Sequence, residues 1–384
     1  MNIVIVGGGL AAAKAAVELR EGGHSDSVVV LAGEDHLPYE RPPLSKGVLL
    51  GQADPDSATV LDKDWYADHD VDLRTATTAD AIDLEAGTVH AGDDVLPFDR
   101  LLLATGSRPR HLRMADESGA PVAYLRTLED SRLLKESFGA ENRLIIIGGG
   151  WIGLEVAAAA RAADTHVTIV ESLELPLLRV LGPEVAAHFA DLHRAHGVDL
   201  RLSAQVTGID SDGTVHLADG SALASDLVVV GVGVEPVDDL ARQAGLDVDN
   251  GVLVDELLRT SDPRVLAAGD VANQQHPVLG RRIRVEHWDT AIEQGRHAAR
   301  VMLGLDAAYD RLPYFFTDQY DLGMEYVGSI GPDGYTDVQI EGEPASGAFR
   351  AYWLRDGLVV AGMHVNDWDA TEEIRARVGT RADH

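Results

Sequence analysis

The chain has 384 residues, 45% of them hydrophobic, and its 32 basic and 63 acidic residues give a formal charge of −31. That length exceeds one ordinary domain and suffices for two or three separate cores, and the negative field disfavours nucleic acid and anionic membranes as partners. Cysteine is absent, which excludes disulfides, thiolate metal sites, Cys-ligated iron–sulfur clusters and redox dithiols, so a bound organic cofactor is the expected carrier of electrons in any redox chemistry here.

The N-terminus enters an apolar run at once, with no basic leader. No stretch reaches the roughly 18–20 apolar residues that span a bilayer. A cytoplasmic protein without a membrane partner is the expectation. Ile3-Val4-Ile5-Val6 reads as a buried strand and leads into Gly7-Gly8-Gly9-Leu10-Ala11-Ala12, then an Ala-rich helix over Ala11–Arg20. This is a G-x-G-x-x-A turn. Gly7 suits the tight bend, Gly9 the close approach of a pyrophosphate, and Ala12 the packing of helix on strand. A second strand, Ser27–Leu31, leads to Glu34, placed to accept hydrogen bonds from a ribose. Leu101–Leu103 reads as another buried strand.

The pattern then repeats. Leu144–Ile147 precedes Gly148-Gly149-Gly150-Trp151-Ile152-Gly153, a full G-x-G-x-x-G, followed by a helix over Leu154–Ala163. The strand Val167–Val170 ends at Glu171, 18 residues after Gly153, without an adjacent Arg or Lys. An acid there suits a free ribose 2′-hydroxyl and repels a 2′-phosphate, so NADH is expected over NADPH. One such turn is compatible with a structural bend that holds no ligand. Two complete units point to two nucleotide sites. Further strands are predicted at Leu227–Val230, Phe349–Leu354 and Leu358–His364. Among the 15 His, His188, His193 and His196 share a predicted helix, but no matched ligand set accompanies them and no metal is expected.

The paired units resemble the two-dinucleotide-binding flavoproteins, the pyridine nucleotide-disulfide oxidoreductase superfamily. Leu102–Pro109, containing Ala104-Thr105-Gly106-Ser107-Arg108, resembles that family's ATG strand–turn. Thr260–Asp270, ending in Ala268-Gly269-Asp270, resembles its second FAD motif, and Gly231–Pro236, which includes Gly233, the segment that leaves the inserted NAD domain. Pro38-Tyr39-Glu40-Arg41-Pro42-Pro43-Leu44-Ser45-Lys46, Glu286-His287-Trp288 and Phe316-Thr317-Asp318-Gln319-Tyr320 narrow the likeness to ferredoxin reductases of oxygenase systems. The similarity covers nearly the whole chain. Where thiol-dependent members carry cysteine, this chain has Ser45 and Lys46.

The resemblance implies an α/β fold with two Rossmann-like domains and a C-terminal α+β domain. An FAD domain would take 1–108 and 237–308, an inserted NAD domain 109–236, and the C-terminal domain 309–384. It implies FAD and NADH as cofactors, with Lys46 beside the flavin and paired to Glu155 as the catalytic pair. Arg41 and Pro42 would line the flavin edge, and Glu286, His287, Trp288 and Phe316 would lie near the ring. Trp288 could equally be a core aromatic. Asp318 and Gln319 match positions at the flavin's outer face, or else form a turn. The stretch Tyr314-Phe315-Phe316 lacks the tryptophan that many relatives carry there. The implied partner is an acidic two-iron, two-sulfur ferredoxin serving a Rieske or haem oxygenase. Arg281, Arg282 and Arg284 would either dock it or be neutralised locally. An NADH oxidase or diaphorase, and an NADH-sensing flavoprotein resembling apoptosis-inducing factor, are the rival readings.

Overall fold

The computed structural model describes residues 1–382. They pack as two compact units. The first comprises Met1–Glu40, Asp56–Arg108 and Glu235–Pro313; the second comprises Arg41–Pro55, Pro109–Val234 and the chain from Tyr314 onward. The segment that carries Lys46 thus packs with the second unit.

The first unit is organised by a five-stranded parallel sheet. Its strand order is Val265–Ala267, Arg100–Leu103, Ile3–Val6, Val28–Leu31, Val71–Arg74. Ile3–Val6 and Val28–Leu31 are buried at every residue, as expected for parallel strands covered on both faces. The helices Leu10–Glu21 and Trp288–Met302 pack on each other. They can approach because position 295 is glycine: a Cβ there would lie 2.3 Å from the Ala11 carbonyl oxygen. Two smaller sheets complete the unit, Ala81–Asp83 with Thr88–Ala91 and Asp94–Pro97, and Val252–Val254 with Ala272–His276 and Arg281–Arg284.

The second unit repeats the parallel architecture with strands in the order Asp199–Arg201, His166–Val170, Arg143–Ile147, Leu227–Val230, Val122–Ala123. It also holds a five-stranded antiparallel sheet, ordered Tyr314–Gln319, Leu322–Gly328, Leu358–Val365, Ala348–Arg355, Asp337–Glu343. Trp353 of that sheet is fully buried, and its indole N–H donates to the Leu181 carbonyl at 2.9 Å. Leu181 lies in Leu178–Ala195, a helical stretch bent at Gly182-Pro183. The chain is therefore α/β with two Rossmann-like sheets and a C-terminal antiparallel sheet. The predicted strands Ile3–Val6, Ser27–Leu31, Leu101–Leu103, Leu144–Ile147, Val167–Val170 and Leu227–Val230 all fall in the two parallel sheets. Among the described residues no helix is long and apolar enough to cross a membrane.

Candidate functional site

In the first unit, the strand order brings the separated motifs together. Four neighbouring parallel strands end, at one edge of the sheet, in Gly269-Asp270, Ala104-Thr105-Gly106, Gly7-Gly8-Gly9 and the turn to Glu34. The carboxyl edge of an open parallel sheet is where such folds bind ligands. Gly7 has φ 130°, and a Cβ on it would sit 2.1 Å from the Ala104 carbonyl oxygen, so the two turns fit together only with glycine there. Ala12 is fully buried beneath the turn. Glu34 accepts from the Tyr39 hydroxyl at 2.5 Å. Asp270 accepts from Ser107 Oγ at 2.7 Å, and Thr105 Oγ1 donates to the Val237 carbonyl at 2.6 Å. The Gly269 amide is received by Gln294 Oε1 at 2.9 Å, a buried side chain that no sequence motif flagged.

Other motif residues of this unit form ion pairs or open a helix. Arg108 is half exposed and bonds Glu235 and Asp239, each at 2.7 Å. Glu286 pairs with Arg284 at 2.5 Å, and His287-Trp288 open the helix Trp288–Met302. Within the arginine cluster, Arg284 has a local acidic partner. Arg282 donates to the carbonyls of Val254 and Asn273 at 3.0 and 2.9 Å. Arg284 is nearly buried, and besides pairing with Glu286 it donates to the Asp270 carbonyl at 3.2 Å. Of the three cations proposed as a dock, Arg284 thus holds up the turn that carries Asp270, and Arg282 ties two neighbouring strands.

In the second unit, the same logic assembles Gly148–Gly150, Glu171 and Gly231–Gly233 at the carboxyl ends of three adjacent strands. They line a cavity of about 500 Å³. A Cβ on Gly148 would lie 2.4 Å from the Gly231 carbonyl oxygen, and one on Gly153 would lie 2.3 Å from the Gly148 carbonyl oxygen. A Cβ on Gly150 would meet nothing within 4 Å, so the cavity reaches the backbone there. Ile152, in the first turn of the helix Trp151–Ala162, is exposed. The Glu171 carboxylate is fixed by the amides of Gly149 and Leu173, at 2.7 and 2.8 Å, and by Ser172 Oγ at 3.1 Å.

The second unit also holds a buried carboxylate. Glu155, on the helix Trp151–Ala162, is only 3% exposed. Lys46 Nζ donates to its Oε1 at 2.7 Å and Thr317 Oγ1 at 2.5 Å; Ser45 Oγ donates to its Oε2. Burial of a carboxylate costs several kcal/mol unless donors surround it, which these three side chains do. Lys46 lies at the end of a short 3-10 turn, Pro42–Ser45, whose paired prolines fix its entry. Arg41, just before it, donates to the Arg126 carbonyl. The Lys46 ammonium also stands 5.2 Å from the centre of the Phe316 ring.

Strand alternation explains which residues of Tyr314–Gln319 face inward. Thr317 and Gln319 are fully buried, whereas Asp318 is exposed. Gln319 does not form a turn: it is buried among polar groups, with His193 Nε2 2.9 Å from its Oε1. Ser45 and Thr317 are the functional neighbours that sequence reasoning missed. Phe315 packs on Trp151 at 4.6 Å. Among the described residues no cluster of His, Asp and Glu is placed to hold a metal.

Burial holds the His193 imidazole down to about 4, against an ordinary value of 6.5. A depressed histidine stabilises the fold fully above 6.5, and that contribution is lost as pH falls from 6.5 through 4, because the unfolded chain takes up the proton first. The loss amounts to about 3 kcal/mol at most. His188, His276 and His297 are also lowered by burial and act in the same sense, so a variant isolates the effect. Between pH 6.5 and 4, His193→Gln is expected to lose about 2 kcal/mol less stability than the parent in urea titrations. Parallel pH profiles for the two proteins would refute this.

Two family models cover most of the chain, one described as pyridine nucleotide-disulphide oxidoreductase over residues 1–295 and one as reductase C-terminal over residues 314–383. Putidaredoxin reductase CamA of Pseudomonas putida is 38% identical over 377 residues, covering 95% of this chain and 88% of the relative. The ferredoxin–NAD(+) reductase component of the anthranilate 1,2-dioxygenase system of Burkholderia cepacia is 40% identical over 368 residues, covering 94% and 90%. The solved covalent complex of putidaredoxin reductase with putidaredoxin superposes with a TM-score of 0.94 at 37% identity, covering 99% of this chain and 94% of that one. With its paired glycine turns at two sheet edges and these likenesses along its length, the chain belongs to the pyridine nucleotide-disulphide oxidoreductase family, in company with the ferredoxin reductases.

Proposed function

We propose that the chain is an FAD-containing NADH:ferredoxin reductase whose acceptor is a two-iron, two-sulfur ferredoxin serving a Rieske or haem oxygenase. The observation that carries the reading is a pair of nucleotide-binding sheet edges in a chain without cysteine. A thiol relay is impossible, so electrons have to leave directly from the flavin.

The residues present suit both cofactors. The helix Leu10–Glu21 starts at Gly9 with no side-chain cap and no acid in its first turn. Its free amides and dipole favour a diphosphate, and a Cβ on Gly9 would meet nothing within 4 Å. Glu34 would accept from the ribose of FAD and Asp270 from its ribityl chain. Ala104, Thr105 and Gly106 wall the same edge. The helix Trp151–Ala162 begins at Gly150 in the same uncapped way. Gly148, Gly150, Ile152, Gly153 and Gly233 would surround NADH, with Glu171 accepting from its ribose diol and repelling a 2′-phosphate.

FAD, when bound, takes a hydride from NADH and passes electrons on one at a time. The protein's part is electrostatic and positional. Lys46 holds a positive charge at Nζ, Glu155 fixes where that charge points, and the Phe316 face lies against the ammonium. Arg41, Pro42, Glu286, His287 and Trp288 are proposed to lie towards the flavin.

The test is NADH-driven cytochrome c reduction by the purified yellow protein, with and without a panel of two-iron, two-sulfur ferredoxins. A rate raised at least tenfold by one ferredoxin is expected. A flavin bleached by NADH without ferredoxin dependence would overturn the reductase reading in favour of a diaphorase. Bleaching followed by sluggish reoxidation with every acceptor would overturn it in favour of a redox sensor.

A further inference from the structure

We infer that Thr317, Gln319 and His193 form a one-directional hydrogen-bond chain that aims the Glu155 carboxylate at Lys46, making Gln319 and His193 positioning residues of the reductase. The inference rests on the proposed function for its catalytic meaning, and on geometry within the second unit for its existence.

The direction of each bond follows from the carboxylate. A carboxylate only accepts, so Thr317 has to spend its single hydroxyl proton on Glu155 Oε1, 2.5 Å away. Towards Gln319, 3.2 Å away, Thr317 is therefore an acceptor, and Gln319 has to present Nε2 to it. That orientation turns Gln319 Oε1 towards His193, whose Nε2, at 2.9 Å, has to carry its proton. His193 Nδ1 is left to accept from the Tyr320 hydroxyl at 3.2 Å. Every donor in the series thus points towards Glu155, and each bond polarises the next. Thr317, Gln319 and His193 are 1% exposed or less, so water does not offer them substitute partners.

The outer end of the chain is anchored by a strained residue. Tyr320 leaves the strand with φ 58°, a left-handed conformation that costs a side-chain residue roughly 1–2 kcal/mol. The turn brings its ring flat against His196, with centroids 3.6 Å apart and 8° between planes, while its hydroxyl reaches His193 three residues earlier on the same helix. The series is not suited to carrying protons. Gln319 lies in the middle, and an amide passes a proton only through its unstable imidic acid form. Its role is to hold Thr317, and through Thr317 the carboxylate, in one orientation.

The chain contains four lysines, Lys14, Lys46, Lys63 and Lys135, so holoenzyme labelled with [13Cε]lysine should give four resolvable side-chain signals. Gln319→Met keeps the length of the side chain but removes both its N–H and its oxygen; Gln319→Leu removes both and also shortens and branches it. Both are expected to move the Lys46 signal. Both are also expected to slow flavin bleaching at saturating NADH about tenfold, with half-saturation unchanged. His193→Gln, whose amide can still donate to Gln319, should keep the parent signal and rate, while His193→Leu should behave like Gln319→Leu. A parent-like Gln319→Met beside an impaired Gln319→Leu would reduce the role to packing and overturn the inference. An unmoved Lys46 signal in both Gln319 variants would overturn it outright. If NADH fails to bleach even the parent flavin, the reductase reading falls, and the lysine signals still decide whether the chain exists.

Discussion

Replacing Glu155 with leucine is expected to slow flavin reduction by NADH about 10²-fold and to cost roughly 3 kcal/mol of stability. The two losses have different origins, which makes them separable. Stability falls because Ser45, Lys46 and Thr317 all donate to this carboxylate, and Glu155 is 3% exposed. Removing it strands a largely buried ammonium and two hydroxyls. Lys46 retains some solvent contact, with 18% of its side chain exposed, which places the cost at the lower end of the range for a broken buried pair. The rate falls because the charge at Nζ is no longer held in one direction. Lys46→Met combined with Glu155→Leu should recover most of the stability, since no unpaired charge then remains, and none of the rate. Stopped-flow bleaching of the flavin and guanidinium unfolding of the holoenzyme read the two quantities independently. Unchanged bleaching in Glu155→Leu would remove the pair from the reaction and leave it a structural ion pair.

The parts of this site that could be read from sequence are those whose signal is local. Ile3–Val6 and Leu144–Ile147 are legible because a strand covered on both faces has to be apolar throughout. The glycine turns are legible because Gly7, Gly148 and Gly153 stand where a Cβ would strike a carbonyl oxygen. The surroundings of Glu155 are a different matter. Thr317 is 162 positions away from it and Ser45 is 110, and a lone hydroxyl residue advertises nothing about its partner. Lys46 was linked to Glu155 only through the family resemblance. Gln319 was read with Asp318 as one flavin-facing pair, although adjacent strand residues face opposite ways. The run from Tyr314 to Gln319, once read as a strand, already places 315, 317 and 319 on one side. The three arginines illustrate the opposite limit. Charge counting cannot register the carbonyls of Val254, Asn273 and Asp270 that occupy Arg282 and Arg284.

Two single-methyl substitutions are expected to split the two cofactors. Gly148→Ala puts a Cβ 2.4 Å from the Gly231 carbonyl oxygen, at a φ of 106°. Backbone on both sides leaves no flexible side chain to yield, so the two turns have to separate, at a cost of a few kcal/mol. That damage falls on the edge lined by Gly150, Glu171 and Gly233. The protein should remain yellow, and the NADH concentration for half-maximal bleaching should rise about 10²-fold. Gly7→Ala makes the equivalent collision with Ala104, at 2.1 Å and a φ of 130°, but on the other sheet. It should purify colourless, and added FAD should not restore the absorbance. Because each parallel sheet has its own core, neither change should unfold the other cofactor's sheet, and far-ultraviolet circular dichroism would confirm that both variants stay folded. A yellow Gly7→Ala protein, or a Gly148→Ala protein that loses its flavin with NADH binding intact, would reverse the assignment of the two glycine turns. The distinction rests on the acids as well as the glycines. Glu171 is fixed by the amides of Gly149 and Leu173 at the edge of the second cavity, where it would meet the ribose of NADH, and Glu34, which accepts from the Tyr39 hydroxyl, would meet that of FAD on the other sheet.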